Sequence, residues 1–149
     1  MSLEKRIMTD LKEAMKAKDQ AALRTIRSIK SNIQLIKTDG QGTDFNEEAE
    51  IKLVQKLMKQ RQDSLGIYEK EGREDLAQTE REEIEVLKKY LPEQMSAEDL
   101  KVFIADIVAK TGASGMKDMG KVMGMASKGL AGKADGKTIS AVVKSILAG

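Results

Sequence analysis

The sequence predicts an all-α protein, and three observations carry that prediction. Only one of the 149 residues is proline while 34% are charged, a balance suited to long surface-exposed helices. Aromatic residues make up 3%, so aliphatic and methionine side chains must supply the core, and a turn-rich β fold is disfavoured. Apolar residues also recur at helical spacing through most of the chain. A chain of this length can bury a core without covalent staples.

Each element follows in turn. Ser2 is placed to cap a first helix, with Leu3, Ile7, Leu11 and Ala14 or Met15 on one face. Asp19 reads as the N-cap of a second, whose stripe is Ala22, Ile26, Ile29, Ile33 and Ile36. Thr38-Asp39-Gly40-Gln41-Gly42 is a loop by composition. A third helix runs from near Asn46 to Glu71 and is broken by Gly72, and a fourth from Arg73 to Leu91 buries Leu76, Ile84 and Leu87. Leu91-Pro92 forms a boundary, because the residue before proline is pushed out of helical geometry. Just after it, Ser96 and Asp99 have capping-box spacing, and Met95 and Leu100 are placed to form a hydrophobic staple. The fifth helix then spans about Ala97 to Lys110 and stops at Thr111-Gly112. A sixth covers about Gly115 to Leu130, and a seventh, after Asp135-Gly136, carries Ile139, Val142, Val143, Ile146 and Leu147. Composition shifts at the same boundary: eight of the twelve glycines lie at or beyond position 112, and every basic residue beyond 92 is lysine. Two helical domains are expected, a four-helix domain over 1–92 and a three-helix domain over 93–149.

Missing residue types exclude much chemistry. Without cysteine there are no disulfides, thiolate nucleophiles or thiolate-held metals. Without histidine there is no Ser-His-Asp arrangement, no imidazole acid–base work and no histidine-ligated metal. Any remaining chemistry must use carboxylates, Lys, Tyr, Ser or Thr. No catalytic residues, metal site or cofactor are expected. No apolar run approaches the roughly 18 residues needed to cross a bilayer, and Met1-Ser2-Leu3-Glu4 opens no signal-peptide hydrophobic region. The expectation is a soluble, cytoplasmic protein with no membrane partner.

Three constellations stand out. Arg61 falls on the apolar stripe of the third helix, among Val54, Leu57, Met58, Leu65 and Tyr68. Glu80 and Glu83 fall beside Leu76 and Leu87 on the fourth in the same way. Arg61 and Glu83 are each eleven residues from the turn at Gly72, so an antiparallel hairpin brings them to similar heights. This reads as a structural ion pair, retained because removing one side leaves a buried charge unpaired; a polar active centre is the competing reading. Next, positions 131–138, Ala-Gly-Lys-Ala-Asp-Gly-Lys-Thr, approach a phosphate-binding P-loop, but Ala131 stands where glycine is needed and a helix precedes the loop. The segment is better read as a loop and the first turn of the last helix.

The third constellation is basic. The whole chain carries a net charge of +2, yet residues 107–149 hold seven lysines against only Asp118 and Asp135. On the sixth helix Met116, Met119, Met123 and Leu130 form one side with Val122 and Ala126 beside them, and Met125 points away. Lys117, Lys121 and Lys128 share another side with Gly124, which lets a partner approach closely. Lys137 and Lys144 oppose the apolar face of the seventh helix, and Lys133 sits in the connecting loop. Such a surface suits a phosphate backbone; its plain alternative is a solvated face that keeps the domain soluble. No aromatic platform for stacking bases accompanies it, so contact through shape and phosphate is the expected mode.

Several blocks in order resemble the GatB/YqeY (YqeY-like) family over essentially the full length. They are Arg24-Thr25-Ile26-Arg27-Ser28-Ile29-Lys30, Lys59-Gln60-Arg61-Gln62-Asp63-Ser64 with Tyr68, and Gly72-Arg73-Glu74-Asp75-Leu76-Ala77. Glu80 with Glu83, Tyr90-Leu91-Pro92, Asp118-Met119-Gly120-Lys121-Val122-Met123-Gly124 and Gly132-Lys133-Ala134-Asp135-Gly136 continue the series, with Lys133 where many relatives would carry arginine. The resemblance implies a C-terminal domain similar to the GatB tail of the glutamine-dependent Asp/Glu-tRNA amidotransferase, a tail that contacts the tRNA elbow. It also implies association with carbon–nitrogen ligase chemistry using glutamine as the amide donor, for which these residues supply no nucleophile, ammonia-releasing site or ATP cradle.

Three functional readings follow. The first is a non-catalytic RNA-binding accessory module with tRNA as partner, using Lys117, Lys121, Lys128, Lys133 and Lys137 on phosphates, with Gly120 and Gly124 permitting approach. The second is participation in tRNA-dependent amidation beside amidotransferase or aminoacyl-tRNA synthetase subunits. The third is a protein-interaction scaffold using the surface around Arg61, Glu80 and Glu83.

Overall fold

The computed structural model describes residues 2–40 and 45–149; Gln41 and Gly42 of the expected loop lie outside the described residues. Among the described residues there are seven α-helices, one 3-10 turn and no strand. They group into two compact units, Met1–Leu91 and Pro92–Gly149, each with its own buried apolar cluster.

The first unit contains α1 (Leu3–Ala17), α2 (Gln20–Lys37), α3 (Glu47–Lys70) and α4 (Glu74–Lys88). Ser2, Asp19 and Asn46 cap α1, α2 and α3 by accepting the backbone N–H of Lys5, Ala22 and Ala49. The α1–α2 turn is tight: Lys18 takes a left-handed conformation (φ 56°) and the Asp19 N–H donates to the Ala14 carbonyl at 3.0 Å. Between α3 and α4 the left-handed position is Gly72 (φ 70°), where glycine meets no steric penalty. Ile7, Ile26, Ile29, Ile33, Val54 and Leu87 are fully enclosed at the centre. Ala14 is the buried member of its pair, and Met15 is exposed. The chain end of this unit is tied to α1. The Tyr90 hydroxyl donates to the Asp10 carboxylate at 2.6 Å, while the Arg6 guanidinium lies over the Tyr90 ring and donates to the Lys89 carbonyl. Burial and the Asp10 hydrogen bond both raise the proton affinity of the Tyr90 hydroxyl.

Two expectations are corrected here. The fourth helix stops at Lys88, short of Leu91. The amides of Lys89, Tyr90 and Leu91 reach back only three residues, so the chain tightens into 3-10 geometry as it approaches Pro92. Leu76 is half-buried; Ala77 and Glu80 take the inward positions of that face.

The second unit contains α5 (Ala97–Thr111), a 3-10 turn (Met116–Asp118), α6 (Met119–Gly129) and α7 (Gly136–Ala148). Ser96 accepts the Asp99 N–H at 3.1 Å, Met95 packs on the cluster that holds Leu100, and Gly112 in left-handed geometry (φ 69°) ends α5. Leu100, Ile104, Val122, Ala126, Leu130, Ile139 and Val143 form the core. The segment entering α5 is anchored to the α6–α7 link, with the Met95 N–H donating to the Lys133 carbonyl and the Gln94 amide to the Gly132 carbonyl. A single helix from Gly115 to Leu130 is not what forms. The 3-10 turn breaks it, with Asp118 in non-helical geometry and its carboxylate accepting the Ser114 N–H at 3.0 Å. Because that turn has a shorter period than an α-helix, Met116 falls off the apolar side and is 45% exposed. Met119 and Met123 remain packed against the core.

Candidate nucleic-acid interface and a half-buried charge cluster

Lys121 and Lys128 are seven residues apart on α6 and so share a face, with Gly124 between them. Lys117 belongs to the preceding 3-10 turn, Lys133 to the link, and Lys137 to the first turn of α7, with Lys144 further along that helix. All six lysines are exposed, and Gly124 is exposed with them. Among the described residues none of the six forms an ion pair, whereas Lys110 on α5 pairs with Asp106 at 2.9 Å. The reason is local. The two acids of residues 107–149 are both engaged by backbone: Asp118 holds the Ser114 N–H, and Asp135 caps α7 by accepting the Thr138 N–H at 2.6 Å. Neither acid pairs with any of the six lysines, so each ammonium group stays free for an outside anion.

The glycines of α6 divide into two kinds, a distinction the sequence did not reveal. A Cβ at Gly129 would lie 2.7 Å from the Phe103 ring, so the contact of α6 with α5 demands glycine there. A Cβ at Gly120 or Gly124 would meet no atom within 4 Å. Internal packing asks for neither, although a helical glycine is roughly 0.5–1 kcal/mol less favourable than alanine. The near-motif at 131–138 joins two helices with no strand before it among the described residues, so it lacks the architecture of a phosphate loop.

In the first unit, Arg61 Nη1 reaches both Glu80 Oε1 and Glu83 Oε2 at 3.4 Å. Arg24, named above only within a family block and not as part of this cluster, joins from α2 with Glu82 at 3.1 Å and Glu83 at 3.8 Å. Glu80 is only 7% exposed, and its Oε2 has no hydrogen-bond partner. Burial pushes its carboxyl above the usual carboxylate range, Arg61 opposes that shift, and the Glu83 charge adds to it. The cluster borders an open groove that includes Thr25, Ser28 and Asn32 of α2. The signal for that wall was present as polar residues running beside the isoleucine stripe of α2. Among the described residues no group of three or more acids is arranged to hold a metal ion, and no helix is long and apolar enough to cross a membrane.

The model of the Yqey-like protein family matches residues 4–147. Three curated relatives share the name "Altered inheritance of mitochondria protein 41, mitochondrial". The one from Vanderwaltozyma polyspora is 39% identical over 116 residues, covering 74% of this chain and 63% of its own length. That from Lachancea thermotolerans is 45% identical over 82 residues, covering 55% and 44%. That from Pyrenophora tritici-repentis is 29% identical over 148 residues, covering 95% and 79%. The chain thus spans less than two thirds of the first two relatives' length.

Proposed function

This chain belongs to the YqeY-like protein family, and from that premise we propose that its Pro92–Gly149 unit is a non-catalytic tRNA-binding accessory module, related to the tail of the Asp/Glu-tRNA amidotransferase. The observation that carries the reading is the uncompensated lysine set. Lys117, Lys121, Lys128, Lys133 and Lys137 are exposed and form no ion pair among the described residues, while the nearby Asp118 and Asp135 are engaged by backbone N–H groups. Phosphates neutralised by these ammonium groups release condensed counterions, which makes binding strongly salt-dependent.

Gly120 and Gly124 support the same reading, since bare backbone on the lysine-bearing helix allows a ribose–phosphate strand to come close. The mode is contact with shape and backbone. The single aromatic ring of this unit, Phe103, packs against the core and offers no stacking platform. The proposal sets the module in the cytoplasm, while the relatives above carry a mitochondrial label in their names.

The test replaces Lys117, Lys121 and Lys128 together with glutamate. The expected outcome is loss of a salt-sensitive tRNA gel shift with unchanged helicity by circular dichroism. Unaltered binding by this triple variant removes the lysine surface from consideration.

A further inference from the structure

An open groove of about 120 Å³ runs between α2, α3 and α4 of the first unit. Its floor includes Leu57 and Leu87, Ser28 and Asn32 line one side, and Gln60 and Arg61 line the other. A helix seam is ordinarily closed by apolar side chains; here hydroxyl and amide groups stand along it and leave it open.

Arg61 is held in place without being saturated. Both of its ion pairs use Nη1, at 3.4 Å, longer than the roughly 2.7–2.9 Å of a strong charge-assisted bond. Among the described residues, Nη2 and Nε have no hydrogen-bond partner, and the side chain is 36% exposed. Asn32 donates its amide to the Ser28 carbonyl at 2.8 Å, while the Ser28 hydroxyl and the Gln60 amide make no hydrogen bond among the described residues. The groove therefore presents a free guanidinium edge, a hydroxyl and an amide above a small aliphatic floor.

We infer that this groove binds a carboxylate group, carried by a small organic acid or by an acidic side chain of a partner protein. Nη2 and Nε of Arg61 take the two oxygens as a fork, Ser28 and Gln60 add hydrogen bonds, and Leu57 and Leu87 receive the methylene body. The volume is well below the roughly 300–1,000 Å³ of pockets that enclose larger ligands, and it suits a group the size of one side chain. A phosphate dianion fits poorly, because Glu83 also lines the groove and the lining holds no second cation. Glu83 bears on a carboxylate as well, so recognition rests on the free Nε–Nη2 edge of Arg61 and its fork geometry rather than on net positive charge. This site lies in the other unit from the lysine surface and stands or falls apart from the RNA reading.

The experiment is an NMR titration of the isotope-labelled full chain at matched ionic strength. The probes are glutarate, N-acetylglutamate amide, inorganic phosphate and chloride. Saturable shifts at the Ser28 and Gln60 amides and the Arg61 Nε–H are expected with the two carboxylates. A stronger response to glutarate assigns a free acid, and a response to the blocked glutamate that equals or exceeds it assigns a partner's side chain. Arg61→Lys keeps the charge but loses the fork, and it is expected to weaken binding about tenfold. Because that change disturbs the ion pair with Glu80 and Glu83, Gln60→Ala serves as the second variant, weakening binding several-fold at an unchanged melting temperature. No saturable response, an equal response to phosphate or chloride, or full binding by both variants overturns the inference.

Discussion

The Glu80 carboxylate reaches Arg61 through one oxygen while the other meets no donor, so burial outweighs pairing in setting its proton affinity. Its folded-state pKa lies above the ordinary value of 4.5, so the folded chain holds this proton more tightly than the unfolded chain does. Stability contributed by this group is therefore complete below the ordinary value and is lost as pH rises through the higher folded one. Glu80→Gln cannot ionise, so it should gain stability relative to the native protein between about pH 4 and about pH 7, as read by urea unfolding at the two values. A relative loss over that interval would mean that attraction to Arg61 governs the site. The presence of Arg61, Glu80 and Glu83 at matching heights could be read from the spacing about Gly72. The orphaned oxygen could not, because it depends on how deeply α4 sinks between its neighbours.

At the scale of elements, α6 offers the sharpest test. Gly120→Ala and Gly124→Ala place a methyl in open space, so each should stabilise the second unit by roughly 0.5–1 kcal/mol in thermal unfolding while weakening tRNA binding. Gly129→Ala drives a methyl toward Phe103, and overpacking of about 1–3 kcal/mol should cancel or exceed the same helical gain. Stabilisation by all three would show that Phe103 yields freely. Most helix starts were legible in the sequence, because Ser2, Asp19, Asn46, Ser96 and Asp135 announce themselves chemically. The start of α6 was not. A 3-10 turn and an α-helix have nearby periods, and only the Asp118 carboxylate closing on the Ser114 N–H separates them. The exposed lysines and the Asp135 cap were legible as residue types, while the hold of the Ser114 N–H on Asp118 depends on that turn.

Across the whole molecule, the two apolar clusters share no side chain. A fragment beginning at Pro92 is expected to keep its helical circular dichroism and its salt-dependent tRNA binding, at a lower melting temperature than the full chain because so small a unit buries a smaller share of its surface. A fragment without helicity would show that the second cluster needs the first unit to form. The sequence marked this division through Pro92 and the shift to glycine and lysine, which report on backbone and charge.

The tight α1–α2 turn at Lys18 and the α3–α4 turn at Gly72 have a kinetic consequence. Each lets a helix meet its partner after closing a loop of only a few residues, so little chain entropy stands between the unfolded ensemble and the first native contacts. Folding of the first unit should accordingly fall in the microsecond-to-millisecond range typical of helical bundles. During synthesis it would be complete before much of the second unit has left the ribosome.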